Sequence, residues 1–578
     1  MHKFHLRRLA ISLILISTIL LQGCGVFISH PSPPAVAPVV AEPQEEYIPE
    51  PPPAPVPQLP GRFTLRFDPN SSVNPLTTLN RDSIVLSSLL YESLFVLDNR
   101  LMPHSQLVES WHSDDNVLFE FVIKSDIAMH DGSFLTAQDV AYSLRRASLT
   151  GRFVYRLTSI RSIDVVDELT VSIEINSPNS RFINLLDIPI IKNGSSGSRL
   201  PPGSGPFMFP PEAPAPEIEE PAYEYEDEYE GAYEDFYEPE EDEYEDTLHL
   251  VAFTMHRNFA NLPISTIFLR ESTDTELTEL FDTGALSLIW DDPGSAFDIR
   301  LNRLRETRYF ETTAIQFIGF NTDHIALRNP DIRRAISVSI DRNYIVENIK
   351  PPGMTVASPL ALSPVFPWYD PSWEYLQHPP LEEMLLLLQR AGLDIAQDYY
   401  VDNPFPGLRD GFGGATEFSI DFIVNIENTH KVAAAHQIAE RLRRNGLNVI
   451  VRELPWERFV NALSTGSFDM FYGEIQLGAD FDLSPLLLPG GTLGLSGTAS
   501  SSYRPFIYDF LLARTEHEIQ WASGRLMAEI RFNAPFAPIL YKRHAIYTPV
   551  GAVIGAEPSQ SAVFRNLNDW TINLMMLN

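Results

Sequence analysis

The chain has 578 residues, 44% hydrophobic and 20% charged. That is length for about three to four domains, with apolar content enough to give them cores. Its 42 Lys and Arg against 76 Asp and Glu, a net charge of −34, are the wrong balance for gripping a nucleic acid backbone. A single cysteine, Cys24, excludes an internal disulfide framework and any multi-cysteine zinc or iron–sulfur site.

Residues 1–23 read as a secretory signal peptide. Lys3, Arg7 and Arg8 make a positive start, and Leu9 to Leu21 is an uncharged apolar run, shorter than the roughly 20 residues a membrane-spanning helix needs. It ends in Leu21-Gln22-Gly23-Cys24, which resembles the lipobox of bacterial lipoproteins. The resemblance implies cleavage before Cys24, diacylation of its thiol, and a protein held by lipid on the extracytoplasmic face of the membrane. Two acyl chains anchor firmly where one binds marginally. Residues 24–61 are then rich in Pro, from Pro31 and Pro33 to Pro51, Pro52 and Pro53. Proline at this density forbids helix and favours a semi-rigid polyproline tether of roughly 3 Å per residue.

The body opens with a strand-like Phe63–Phe67. Residues 83–97 follow with a helical apolar face through Ile84, Leu86, Leu89 and Leu90. A helix is predicted over Ala137–Ala147, with Thr136 as N-cap and Asp139 as the acidic partner three positions on. Ser162–Val166 and Leu169–Ile175 alternate as strands do. Between Glu212 and Asp246 there are 18 Asp and Glu, six Tyr and no Lys or Arg, more than half of the net charge. Such a segment repels itself and offers too little aliphatic surface to offset ordering, so it reads as an exposed, disordered insert. The second half alternates. Asp331–Ile349 is helical, and so is Leu381–Ala391, ending at Gly392. Phe418–Asn425 is a strand, Thr429–Asn445 a helix closed by Gly446, Leu447–Leu454 a strand, Trp456–Leu463 a helix and Phe468–Gly473 a strand. This rhythm predicts βαβ units and a parallel sheet.

No common catalytic signature is present. The chain lacks a G-x-x-x-x-G-K-[ST] phosphate loop, H-E-x-x-H and G-x-S-x-G, and its 14 His are scattered. His430 and His436, six apart, do not share one helix face. The expectation is a protein that is not an enzyme and carries no cofactor or metal.

Seven phrases run through the body in order: Leu90-Tyr91-Glu92-Ser93-Leu94, Leu107-Val108-Glu109-Ser110-Trp111, His130-Asp131-Gly132 to Val140, Pro202 to Phe207, Ile318 to Thr322, Ile332 to Ile336 with Ile340-Asp341-Arg342, and Gly466 to Met470. Together they resemble family 5 of the bacterial extracellular solute-binding proteins, the peptide- and nickel-binding lipoproteins of ABC importers. Read from the residues alone, His130-Asp131-Gly132 is a turn, Asn321-Thr322 a candidate hinge, and Arg333 and Arg334 salt-bridging residues. The resemblance implies an α/β, periplasmic-binding-protein-like fold of type II, with two hinged α/β lobes and a small extra domain. Lobe I would take residues 62–77, 163–322 and 533–578, the extra domain 78–162, and lobe III 323–532.

The resemblance also implies a ligand anchor. Peptide binders of the family hold the peptide amino terminus with an Asp after a Gly-Trp-rich strand end. The matching run is Gln476-Leu477-Gly478-Ala479-Asp480-Phe481-Asp482, which points to Asp480, with Asp482 as the near alternative. Leu477 stands where the Trp is usual, so that pocket wall departs from the pattern. Trp290 and Tyr472 are candidate cleft aromatics. The expected function is oligopeptide binding and delivery to membrane permease subunits by a monomer. The alternatives are the same fold holding a nickel chelate, haem or an oligosaccharide, or a peptide-sensing or adhesion lipoprotein.

Overall fold

A computed structural model describes residues 61–149, 151–211, 248–292, 299–395, 408–410, 415–416 and 419–577. Cys24, the Pro-rich tether and the acidic insert lie outside the described residues. The N-terminal part begins with β1 (Thr64–Phe67) and α1 (Arg81–Leu90). Asn80 starts α1 by accepting the Ser83 amide at 3.0 Å. The helix stops at Leu90 rather than running to 97, because Tyr91 is extended and Phe95–Leu97 forms a short strand. β2 (Val108–His112), β3 (Leu118–Ile123), β4 (Ile160–Val165) and β5 (Thr170–Ile175) make an antiparallel sheet in the order β2-β3-β5-β4. This sheet draws strands from both sides of residue 162. α2 (Ala137–Ala147) packs on it. The Asp139 carboxylate accepts from the Thr136 amide at 2.9 Å, as the spacing predicts. β6 (Phe207–Met208), β7 (His249–Ala252) and β8 (Thr266–Glu271) complete a second sheet, β1-β8-β7-β6.

The C-terminal part is built on a seven-stranded mixed sheet. Its strands are β9 (Ile289–Asp291), β10 (Arg305–Phe320), β11 (Thr355–Ala357), β12 (Ser419–Asn425), β13 (Asn448–Leu454), β14 (Met470–Gln476) and β15 (Phe536–Pro549). The order is β9-β15-β10-β14-β12-β13, with β11 also on β15. β12 pairs in parallel with β13 and β14, as the strand–helix rhythm predicts, while β9, β10, β11 and β15 pair antiparallel. α3 (Pro330–Ser339), α4 (Pro380–Arg390) and α5 (Thr429–Arg444) bury their apolar stripes with one side of this sheet, and α6 (Trp456–Thr465), α7 (Arg504–Leu512) and α8 (Glu516–Asn533) bury theirs in a separate core. The helix expected over Asp331–Ile349 is broken: α3 ends at Ser339, Ile340 is extended, and a π-turn occupies Ile345–Ile349. α5 stops before Gly446, whose φ of +90° is open to glycine and strained for other residues.

The antiparallel pair β10 and β15 ties the two parts together. Arg305–Glu311 pairs with Arg543–Pro549, and Ile315–Gly319 with Phe536–Tyr541, with a register break between Glu311 and Ile315. The outer half carries Phe310 and Ile546 into the N-terminal core. The inner half carries Ile315, Phe317, Phe536 and Tyr541 into one C-terminal core and Ile318, Phe320, Ile539 and Leu540 into the other. At the break Thr313 turns away from β15. Its amide donates to Gln560 Oε1 at 2.7 Å and its hydroxyl to the Leu477 carbonyl at 2.6 Å. The chain therefore folds as two α/β lobes that share one two-stranded ribbon. At Asn321, read from sequence as a candidate hinge, the side-chain amide donates to the Phe468 carbonyl at 2.8 Å.

Candidate functional site

Beyond Gln476 the chain turns through Leu477–Asp482. The Phe481 amide donates to the Gly478 carbonyl at 3.0 Å, and Phe481 has a φ of +58°. Such a value costs a non-glycine residue on the order of 1–3 kcal/mol. It is held by burial of the ring against Phe366, centroids 4.9 Å apart. The turn buries Asp480 to 3% exposure. A Cβ on Gly478 would stand 2.4 Å from Asp480 Oδ1, so only glycine lets the carboxylate fold back over the backbone. Oδ2 accepts from Asn179 Nδ2 at 2.8 Å, and Oδ1 from the Asp482 amide at 3.3 Å.

Asn179 and its neighbours come from the segment after β5. The Asn179 amide donates to the Asn116 carbonyl at 3.0 Å, and Asn179 Oδ1 accepts the Arg181 amide at 3.0 Å. Both ends of the side chain are thus fixed, and Nδ2 points at Asp480. The Arg181 guanidinium lies 4.0 Å from the Phe510 ring centroid. Nε donates to the Asp480 carbonyl at 3.1 Å and Nη2 to the Phe510 carbonyl at 2.9 Å, while Nη1 is buried with no hydrogen-bond partner among the described residues. Asn184 Nδ2 donates to the Ala479 carbonyl at 3.1 Å, and Ser180 bonds Leu511 and Ala513 through its amide and hydroxyl. Arg156, paired with Asp187, adds a second cation nearby.

Burial dominates the electrostatics. It pushes the Asp480 carboxyl up against the pull of Asn179, the Asp482 amide, Arg181 and Arg156. Burial and then the charge of Asp480 push Asp482 up to about 6. Arg156 and Arg181 are pulled down to about 10 and stay charged at neutral pH.

A second polar cluster lies where β14 meets the ribbon. Lys542 Nζ, on β15, is 2.7 Å from Asp292 Oδ1 and 3.0 Å from Glu474 Oε1. Lys431 Nζ, on α5, is 2.9 Å from Glu474 Oε2, and Gln316 Nε2 donates to the same oxygen at 2.8 Å. His544 Nε2 stands 3.6 Å from Asp292 Oδ1. Burial opposes the charge on Glu474, but Lys431 and Lys542 outweigh it and hold the carboxyl down at about 2. Burial likewise works against Lys542, and Glu474 with Asp292 raise it above the usual amine range. His544 is pulled down to about 4, mainly by burial. Lys350 is pushed to about 7 by burial and the charge of Lys431.

The structure separates the residues singled out from sequence. Asp480 and Asp482 share one buried turn. Trp290, on β9, belongs to the second cluster, its ring edge-on to His544 at 4.9 Å and 5.3 Å from the Arg81 guanidinium. Tyr472 is 2% exposed in the helix-covered core, and its hydroxyl donates to Gln316 Oε1 at 2.9 Å. It reaches the cluster only through Gln316. Asn179, Arg181, Glu474 and Lys542 were not legible as site residues. Only Lys542 left a signal, as the first of the cationic residues Lys542-Arg543 directly after the apolar run Ile539-Leu540-Tyr541. His130 is a structural turn residue: its amide donates to the Gly203 carbonyl at 2.8 Å, and Nε2 meets the Gly205 carbonyl at 3.1 Å. Arg333 caps the end of α8, with Nε donating to the Ala534 carbonyl at 2.9 Å. Among the described residues, no group of three or more His, Cys, Asp and Glu side chains is placed to hold a metal ion.

Comparison with known proteins gives a consistent set. The sequence model described as bacterial extracellular solute-binding proteins, family 5 middle, matches residues 102–490. A probable peptide ABC transporter periplasmic-binding protein of Sinorhizobium fredii is 31% identical over 152 residues, 24% of this chain and 28% of that protein. The glutathione-binding protein GsiB of Escherichia coli is 27% identical over 150 residues, 24% of this chain and 29% of that protein. The alignment thus spans less than a third of the length of these curated relatives. The open, unliganded periplasmic murein tripeptide-binding protein MppA superposes with a TM-score of 0.66 at 16% identity, over 89% of this chain and 97% of that one. The Bacillus subtilis oligopeptide-binding protein AppA with a nonapeptide gives 0.58 at 17%, over 89% and 97%. NikZ of Campylobacter jejuni with Ni(L-His) gives 0.59 at 14%, over 88% and 99%. These likenesses are to solute-binding proteins and not to enzymes, and at such identities the structures establish the two-lobed fold.

Proposed function

Since this chain belongs to the bacterial extracellular solute-binding proteins of family 5, we propose that it is the lipid-anchored binding component of an ABC importer, holding oligopeptides between its lobes and delivering them to membrane permease subunits. In this reading Cys24 carries the lipid, the Pro-rich tether spaces the body from the membrane, and the protein acts as a monomer on the extracytoplasmic face. The register break at Glu311–Ile315 is the hinge, with residues 78–162 and the strands that follow as the small domain of the N-terminal lobe.

One observation carries the peptide assignment: the turn that holds Asp482 and buries Asp480 to 3% exposure lies against the other lobe through the Asn179 bond, and burial pushes both carboxyls up. A desolvated carboxylate gains most from a cation brought to it, and the cation common to all unmodified peptides is the terminal ammonium. Glu474 is already neutralised by Lys431 and Lys542 and has less to gain. Backbone contacts to an extended peptide would add affinity without reading side chains, and lobe closure would commit the ligand.

The test is native mass spectrometry of the full chain purified without refolding, followed by denaturation and identification of what is released. A ladder of short peptides is the expected result. A released nickel chelate, haem or sugar would keep the fold and replace the ligand. Replacing Cys24 with Ser should free the protein from the membrane fraction; retention there would refute the lipid anchor.

A further inference from the structure

The carboxylate assigned above to a ligand's ammonium is not open in this structure. Asn179 donates to it at 2.8 Å, and the Arg181 guanidinium lies over the same turn, bonded to the Asp480 carbonyl at 3.1 Å. Asp480 and Asn179 are 3% and 5% exposed, so no ammonium reaches Oδ2 unless this contact parts. Asn179 is not drifting there by chance, since its own amide and its Oδ1 are both fixed. Arg181 is held flat by the Phe510 ring and its carbonyl, and its buried Nη1 has no partner among the described residues. A buried guanidinium bonded to the backbone of this turn, its charge felt by Asp480 and Asp482, is a cation placed by the chain close to where the ligand's cation is expected.

We infer that Asn179 is the chain's own occupant of the ammonium site, which a ligand's amino terminus must displace from the Asp480 carboxylate to bind, and that Arg181, bonded to the backbone of the same turn, holds that closed arrangement in place. They are therefore residues that set affinity and selectivity. This rests on the peptide reading above. Two physical consequences follow. Asn179 covers Oδ2 of a carboxylate that is 3% exposed, so the ligand gains only the difference between its own bond and the one it replaces. Arg181 repels an incoming ammonium while it stabilises the ligand-free turn. Both effects weaken ligands with a free amino terminus and leave N-blocked ligands untouched. The seam is broader than one bond, because Ser180 and Asn184 tie the same segment to Ala513 and Ala479.

The test compares the full chain with Asn179→Ala and Arg181→Met at pH 8. The probes are a randomised tri- to pentapeptide pool and the same pool N-acetylated, with half-saturation read by thermal shift. Arg181→Met keeps an apolar stem on Phe510, so it serves where Asn179→Ala fails to fold. The parent should prefer the free-amine pool. Each variant should melt lower without ligand, yet raise the preference for the free-amine pool about tenfold over the parent, with N-acetylated binding unchanged. An unchanged or reduced preference in both variants overturns the inference and would make Asn179 and Arg181 mere supports of Asp480. A parent that binds both pools equally, or neither, overturns the peptide-amine reading itself. The two failures are therefore distinguishable.

Discussion

Two carboxylate sites lie within seven residues of each other, and although burial raises both, their neighbours leave them shifted in opposite directions. Glu474 meets two ammonium groups at 2.9 and 3.0 Å and is held down at about 2. Asp480 meets an amide and the flank of a guanidinium, and its carboxyl is pushed up. The first site is closed electrostatically: its charges answer one another, and its partners come from β14, β15 and α5 of one lobe with Asp292 beside β9. The second is closed by a segment from the other lobe, through a neutral hydrogen bond from Asn179 in place of an ion pair. A buried charge fully matched by its own chain serves the fold, whereas one left under-matched at a lobe contact is available to a ligand.

The sharpest way to break that contrast is to remove Lys542. Its side chain is only 5% exposed and bridges Asp292 and Glu474, so Lys542→Met removes the cation these two carboxylates share. The expected loss is about 3–5 kcal/mol of stability, the usual cost of orphaning a buried charge, read by urea unfolding. Adding Glu474→Gln should restore part of it. A loss below about 1 kcal/mol would mean the cluster is solvated and the contrast false.

Asp480→Ala should act the other way, on binding more than on folding. It should weaken binding of the free-amine peptide pool by roughly 2–5 kcal/mol, as expected when one partner of a buried charge pair is removed, measured by calorimetry. If Asp482→Ala abolishes binding and Asp480→Ala does not, the anchor lies two residues further along the turn. If neither matters, the ligand is not held by its amine.

The pH dependence separates the two sites next. The folded form binds the Asp482 proton more tightly than the unfolded chain does, since its value is raised to about 6. Its contribution to stability therefore grows as pH falls from about 7 and levels off near the ordinary aspartate value of about 4. Glu474 has the opposite sign. Its contribution is full above the ordinary glutamate value of about 4.3 and is lost as pH falls toward about 2. Shifts of this size are worth roughly 1–3 kcal/mol. Unfolding free energies of the parent minus Asp482→Asn should change between pH 7 and 5, and those of the parent minus Glu474→Gln below about pH 4.5. Curves that coincide across both windows would remove the distinction.

How much of this was legible in the sequence follows from the range of each interaction. The helix start at Thr136 and the stop at Gly446 depend on residues three or four apart, and both appear where the spacing puts them. The parallel strands β12, β13 and β14 were legible because each carries its own apolar run. The helix expected over Asp331–Ile349 failed where Arg342 turns back to donate to the Pro538 carbonyl at 2.9 Å, a partner nearly two hundred residues away. The shared ribbon was not legible, since each half of β10 is an ordinary strand and only pairing with β15 shows that the halves serve different cores. Asp480 was reached through resemblance. Asn179 and Arg181 were out of reach, because their bonds to Asp480 span about three hundred residues and nothing in Ser-Pro-Asn-Ser-Arg announces them.

The smallest effect expected is at Trp290, which tests whether the matched cluster also serves the ligand. Its ring is edge-on to His544 at 4.9 Å and receives the Arg81 guanidinium at 5.3 Å. Aromatic contacts of this kind contribute about 0.5–1.5 kcal/mol beyond the area they bury. Trp290→Leu keeps an apolar side chain and removes the quadrupole, so urea unfolding should show a loss in that range. Affinity for the free-amine pool should move by less than about threefold, because the site of charge recognition lies at the Asp480 turn. A loss of tenfold or more with stability unchanged would put Trp290 on the ligand and extend the binding surface from Asp480 along β14 to the matched cluster, making the two carboxylate sites opposite ends of one site.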